Sequence, residues 1–173
     1  MKSKEAQKMG IIDPMLMEFD HEMGTGRKIL EIVPEQHFSF KPHPKSMTMG
    51  QLAGHLAEIP GWTTVTLTQD VLEMDGSYKP ARPETVKELL ALFDKNVADA
   101  KTTMKGIKDD QLMTMWSMKV GGKVVLSMPK IAVLRAFIFS HFIHHRAQLG
   151  VYLRLKDVAL PQVYGPTADA QGF

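Results

Sequence analysis

Apolar residues recur at three- and four-residue intervals over most of the chain, the spacing that lines one face of an α-helix. A first helix is predicted from Asp13-Pro14, a cap residue followed by a proline that wastes no amide. It runs through Met15, Leu16, Phe19, Met23, Ile29, Leu30 and Val33 to Pro34. Gly24 and Gly26 weaken it, each by about 1 kcal/mol relative to alanine. Residues 35–46, with Phe38, Phe40, Pro42 and Pro44, read as an extended, proline-stiffened loop. A second helix opens at Thr48, because Thr48-Met-Gly-Gln51 has the form of a capping box. Leu52, Leu56, Ile59, Trp62, Val65, Leu67 and Leu72 continue it, with a kink expected at Pro60-Gly61. After a loop over 75–80, Pro83 and Glu84 open a third helix that keeps helical spacing from Val86 to Ile107.

Between Trp116 and Leu126 the period changes. Trp116, Met118 and Val120 alternate with Ser117 and Lys119, and Gly121-Gly122 offers a two-residue turn, so a small β-hairpin is predicted. The fourth helix begins near Ser127 to Pro129 and runs to about Lys156, followed by a Pro/Gly-rich tail from Leu160 to Phe173. Four long amphipathic helices and one hairpin predict an all-α four-helix bundle. The long loop of residues 34–47 predicts a crossover between the first two helices.

Length and charge narrow the class. A chain of 173 residues fits one domain spanning 1–173, against a prior of about 150 per domain. A formal net charge of +2, spread along the chain, argues against a nucleic-acid binder that works by neutralising phosphates. There are no cysteines, which removes disulfides, thiolate zinc sites and a cysteine nucleophile together. Met1 leads into a lysine-rich stretch with no apolar signal core. The greasiest segment, 131–143, carries Arg135, Ser140 and His141 and is too short and polar to span a bilayer. A soluble, cytoplasmic protein is expected, with no nucleic-acid or membrane partner.

The chemistry concentrates in the histidines. In His141-Phe-Ile-His144-His145, the outer pair lies about 40° apart around a helix and one turn along it, the spacing by which one helix offers two imidazoles to one ion. Their stripe carries Leu134, Phe137 and Ile138 upstream, so the pair is expected to face the interior, where two neutral imidazoles without acceptors are costly and a shared cation removes the cost. A third ligand must come from another helix. His55, on the stripe of Leu52, Ile59 and Trp62, is the best placed. His21 reads as solvated or half-buried, His37 and His43 as loop residues, and His144 as an edge residue suited to packing, a subunit contact or a hydrogen bond behind a ligand. A histidine-lined core without metal is the plainer alternative.

The segment His141-Phe-Ile-His144-His145-Arg146-Ala-Gln148-Leu-Gly-Val-Tyr152-Leu-Arg154 resembles the signature of the DinB/YfiT-like superfamily. Pro161-Gln-Val-Tyr164-Gly165-Pro166-Thr167-Ala-Asp169 is similar to that family's tail, and Met49-Gly-Gln-Leu-Ala-Gly-His55-Leu to the segment with its first ligand. The loop Phe40-Lys-Pro-His-Pro-Lys-Ser-Met is similar to the one before it. The resemblance implies a four-helix bundle, a divalent metal on His55, His141 and His145, and a homodimer. Among characterised relatives it implies thiol-dependent S-transferases and a thiol-dependent isomerase.

Three neutral histidines leave a coordination position open, the mark of a catalytic rather than a closed structural site. Zinc suits the set, and imidazole also accepts nickel, iron or manganese. On zinc, bound water has its pKa lowered toward about 7, which serves a hydrolase. Alternatively a thiol replaces that water, and without cysteines it must arrive as a small molecule. Gln148, about 20° around the helix from His141, is expected to position substrate, to hydrogen-bond a group behind the ligands or to satisfy backbone. Glu58, one turn from His55, is the most plausible carboxylate base, or else is solvated. Arg146 points away and reads as a salt-bridge residue, Tyr152 as packing, and Trp62 and Trp116 as core or pocket walls. A non-catalytic, metal-stapled dimeric scaffold is the competing reading.

Overall fold

The computed structural model describes residues 9–171. The lysine-rich start over residues 1–8, read above for targeting, and the last two residues of the predicted tail lie outside them. Helix α1 spans Ile12–Glu31. Asp13 does not cap it. It sits in the first turn and accepts the Gly10 N–H at 2.7 Å, while Asp109 accepts the Ile11 N–H at 2.8 Å, so two carboxylates close this end.

Helix α2 spans Met49–Thr68 and starts on the predicted capping box: Gln51 N–H donates to Thr48 Oγ1 at 3.1 Å, and Thr48 N–H to Gln51 Oε1 at 2.9 Å. It continues through Pro60. Asn96 donates to the Ala57 carbonyl at 2.9 Å, one turn before the proline. Gly61 makes room for that approach, since a Cβ there would meet Asn96 at 3.1 Å. The helix stops short of the predicted Leu72. Residues Val71–Met74 form strand β1, in which Leu72 and Met74 are half-buried while Val71 and Glu73 are exposed. That two-residue alternation overrides the helical spacing of Leu67 and Leu72.

Helix α3, Val86–Gly106, begins later than Pro83 because Thr85 is the cap, accepting from Glu88 N–H at 3.1 Å. Pro83 instead crosses α2 at Gly54, where a Cβ would meet its ring at 3.0 Å. A single turn, α4 (Asp109–Leu112), was not anticipated. The hairpin is present as β2 (Met115–Val120) and β3 (Lys123–Pro129), turning on Gly121 and Gly122 with φ of 55° and 75°. It is part of a larger sheet: β1 pairs parallel to β2, giving the order β1-β2-β3.

The predicted last helix is composite. Ser127 to Pro129 still belong to β3; α5 spans Lys130–Val133, a π-helical stretch covers Leu134–Ser140, and α6 runs over His141–Arg154. Its buried stripe is Phe142, Arg146, Leu149 and Leu153. His141 and His145 lie beside this stripe and are half-buried, at the edge of the core rather than inside it. The π-helical stretch, with its wider i→i+5 hydrogen bonding, changes the angular register upstream of His141. Leu134 and Ile138 therefore lead into the stripe of Phe142 and not that of the histidines.

α1 and α2 make little direct contact, while each packs against α3 and the C-terminal rod. Phe19, Leu30, Leu52, Leu56, Phe93 and Phe142 fill the shared core. The architecture is mostly helical with a small three-stranded sheet. No helix among the described residues is long and apolar enough to cross a membrane.

Candidate metal centre

Two ends of the rod fasten the tail. The Arg146 guanidinium is buried against the equally buried Glu22, with Nη1 2.6 Å from Oε2. It also donates to the Tyr164 hydroxyl at 2.6 Å, and that hydroxyl donates to Glu22 at 2.9 Å. Arg154 pairs with Asp169, whose carboxylate also accepts the Leu160 N–H at 2.9 Å. Arg146 is thus a salt-bridge residue, as its direction on the helix predicted. These contacts hold α6 in place and keep its neighbouring face free for other chemistry.

On that face three imidazoles meet. His141 and His145 are one turn apart on α6, and α2 brings His55 across to them. Their nearest ring nitrogens all lie within 4.8 Å of one another. His55 Nε2 is 3.3 Å from His141 Nε2, and His145 Nε2 is 2.8 Å from it. Nitrogens sharing one ion at about 2.0–2.1 Å sit roughly 3.0–3.4 Å apart, close to these separations.

The outward nitrogens decide the protonation pattern. His141 Nδ1–H donates to the Phe137 carbonyl at 3.3 Å, and since a carbonyl only accepts, the proton is on Nδ1 and the Nε2 lone pair is free. His145 Nδ1–H donates to Gln148 Oε1 at 2.7 Å, with the same consequence. Such partners behind the ligating ring orient it and raise its basicity. Two bare lone pairs at 2.8 Å repel unless something positive lies between them.

A proton does not fill that role near neutral pH. Burial lowers all three imidazole pKa values, that of His55 to about 4, with the neighbouring imidazoles adding to the effect. Neutral rings with converging lone pairs fit a divalent ion. Trp62 closes one side, its ring centroid 5.5 Å from that of His55 and 5.6 Å from that of His141.

The remaining sequence candidates divide. Gln148 joins the centre through His145. Glu58 is on α2 but its oxygens are taken, Oε2 by the Tyr78 hydroxyl at 2.9 Å and Oε1 by the Ala81 N–H at 2.7 Å. It thereby ties the segment after β1 to α2. Tyr78, which the sequence reading passed over in a loop, is held with its pKa raised to about 12 by burial and by Glu58. Tyr152 donates to the Met47 carbonyl and packs edge-on to Phe40, a structural role. His21, His37, His43 and His144 lie outside the cluster; His144 is exposed, its ring centroid 4.9 Å from that of His145.

Comparisons with known proteins bear on the fold and the family. The chain resembles a DinB-like protein from Bacillus cereus at 20% identity and a TM-score of 0.68, over 88% of this chain and 97% of that one. A DinB-like protein from Bacillus subtilis matches at 17% identity and the same TM-score, over 87% and 97%. At such identities the likeness speaks for the fold alone. No curated protein matches the chain. The profile of the DinB family, however, matches residues 6–171, and the chain belongs to that family.

Proposed function

We propose that this protein is a divalent-metal-dependent enzyme acting on a small-molecule substrate, built on a four-helix bundle unit, with His55, His141 and His145 as the ligands. The observation that carries this reading is the convergence of three imidazole rings, with the Nε2 atoms of His141 and His145 left as acceptors by their Nδ1–H bonds. When bound, the ion would supply Lewis-acid activation of a small-molecule thiol, as in an S-transferase, or of water, as in a hydrolase. Zinc is the proposed ion, with nickel, iron and manganese as alternatives that imidazole also accepts.

The chain's own groups have distinct parts in this proposal. Gln148 fixes the tautomer and tilt of His145. Trp62 shields two of the rings from water. Glu58 is given a positioning role, because both its oxygens hold the segment that carries Tyr78. A homodimer and a cytoplasmic location complete the reading; exposed Val151 and Leu155 at the outer end of α6 suit a subunit contact.

A second reading has one observation in its favour: His55 and His141 are 86 residues apart, so a shared ion would staple α2 to α6 without catalysis. Turnover separates the two. Protein loaded with each metal is incubated with low-molecular-weight thiols plus 1-chloro-2,4-dinitrobenzene, and separately with an aryl ester. Metal-dependent turnover that disappears in His55→Ala is the expected result. No turnover with any metal, or equal turnover in the variant, contradicts an enzyme.

A further inference from the structure

Strands β1 and β2 wall a cavity. Leu72 and Met74 of β1 share a face with Trp116 and Met118 of β2, Leu72 standing opposite Met118 in the register. Across from them lie Trp62 of α2 and Phe137 of the π-helical stretch, enclosing about 550 Å³. Of the three ligand histidines, only His141 is in the wall of this space. A cavity of this size takes a molecule of drug-like dimensions.

The polar groups of the wall are few and one-sided. Among the described residues its charged members are Glu73 and Asp75, both acidic and both exposed, and none is a lysine or arginine. A carboxylate or phosphate entering here would lose its hydration without gaining a basic side chain as partner. An uncharged aryl or alkyl body would instead exchange water for tryptophan, methionine and leucine surface.

We infer that the cavity binds an uncharged, largely apolar substrate of aryl-alkyl size, with its single metal-seeking heteroatom at the His141 end, and that its wall, apart from any bound ion, disfavours anionic molecules of the same shape. This rests on the metal-dependent reading above and names the substrate class for that site. Selectivity comes from the cavity wall, so it persists without metal. Only the added hold on the heteroatom requires the ion.

Both tryptophans of the chain line the cavity, so their emission reports its occupancy. Chelated protein at pH 8 is titrated with 4-phenylbutan-1-ol and with 4-phenylbutanoate. The alcohol is expected to bind at least about tenfold more tightly, from the uncompensated burial of the carboxylate. Met74→Lys, checked by its melting curve, is expected to reverse the preference. Equal binding of the two in the wild-type chain, tighter carboxylate binding, or no alcohol binding overturns the inference. In a second arm, 4-phenylbutane-1-thiol is titrated into chelated and zinc-loaded protein, and zinc is expected to tighten it at least about tenfold. An intact alcohol preference without that gain overturns the metal-centred reading and the heteroatom's location, while a gain without the preference overturns the cavity's selectivity alone.

Discussion

At the scale of single residues, the proposed metal centre depends on groups behind the three histidines as much as on the histidines themselves. Gln148 is exposed, yet its carbonyl oxygen holds the Nδ1 proton of His145. Gln148→Leu removes that acceptor and should weaken ion binding about 10–100-fold, as losses of such partners do; competition against a chelator measures it. Arg146 makes the opposite point. Its charge serves the fold, because Glu22 is buried opposite it. Arg146→Met leaves that carboxylate unpaired and should cost about 3–5 kcal/mol in a denaturant titration. A loss below about 1 kcal/mol would mean that water reaches Glu22.

The histidines were legible in the sequence because i, i+4 spacing is a local property, and His55 because it shares a stripe with Leu52 and Ile59. Their depth was not. It depends on the π-helical stretch just before His141, which rotates the rod's buried face onto Phe142, Arg146, Leu149 and Leu153. Nothing in Leu134 to Ser140 departs from ordinary helical composition, so the change of register was invisible. Glu58 was read as a carboxylate base near His55 or else as solvated, but its partners come from residues 78 and 81, beyond any local pattern.

At the scale of elements, hydrophobic period recovered the three long helices, the capping box at Thr48 and the hairpin turn. It missed β1, whose four residues continue an apolar spacing begun in α2 and become a strand by pairing with Ser117 to Val120. Pairing over more than forty positions leaves no local trace. The two glycines of α1 show the same limit more sharply. Both were read as weakening the helix, but a Cβ at Gly26 would lie 2.2 Å from the Phe142 ring, whereas one at Gly24 would meet nothing within 4 Å. Gly24→Ala should therefore stabilise the protein by about 0.5–1 kcal/mol. Gly26→Ala should destabilise it by about 1–3 kcal/mol through overpacking. Paired melting curves test this, and shifts of the same sign would show that α1 does not approach α6 so closely.

At the scale of the whole molecule, the sheet and the helices divide the work. The helices bring His55 to His141 and His145, and the sheet covers the apolar space beside them. The metal-free protein carries a pH liability as a result. A histidine whose folded pKa is depressed binds fewer protons folded than unfolded, so its stabilising contribution is complete above the unfolded value of about 6.5. It is lost as pH falls through that value toward the folded one, about 4 for His55. Chelated wild-type protein should thus lose stability between about pH 6.5 and pH 4 by more than chelated His55→Ala does. Equal losses would mean that the three rings are hydrated before the chain unfolds.

The convergence of the three imidazoles on one ion is best tested by calorimetric titration of zinc into chelated protein at pH 7.5, with the three single alanine variants in parallel. One ion per chain in the wild type, and at least about a hundredfold weaker binding in His55→Ala, His141→Ala and His145→Ala alike, is the predicted result. Wild-type protein that takes up no zinc, or a His55→Ala variant that binds it as tightly, would contradict a shared centre between α2 and α6.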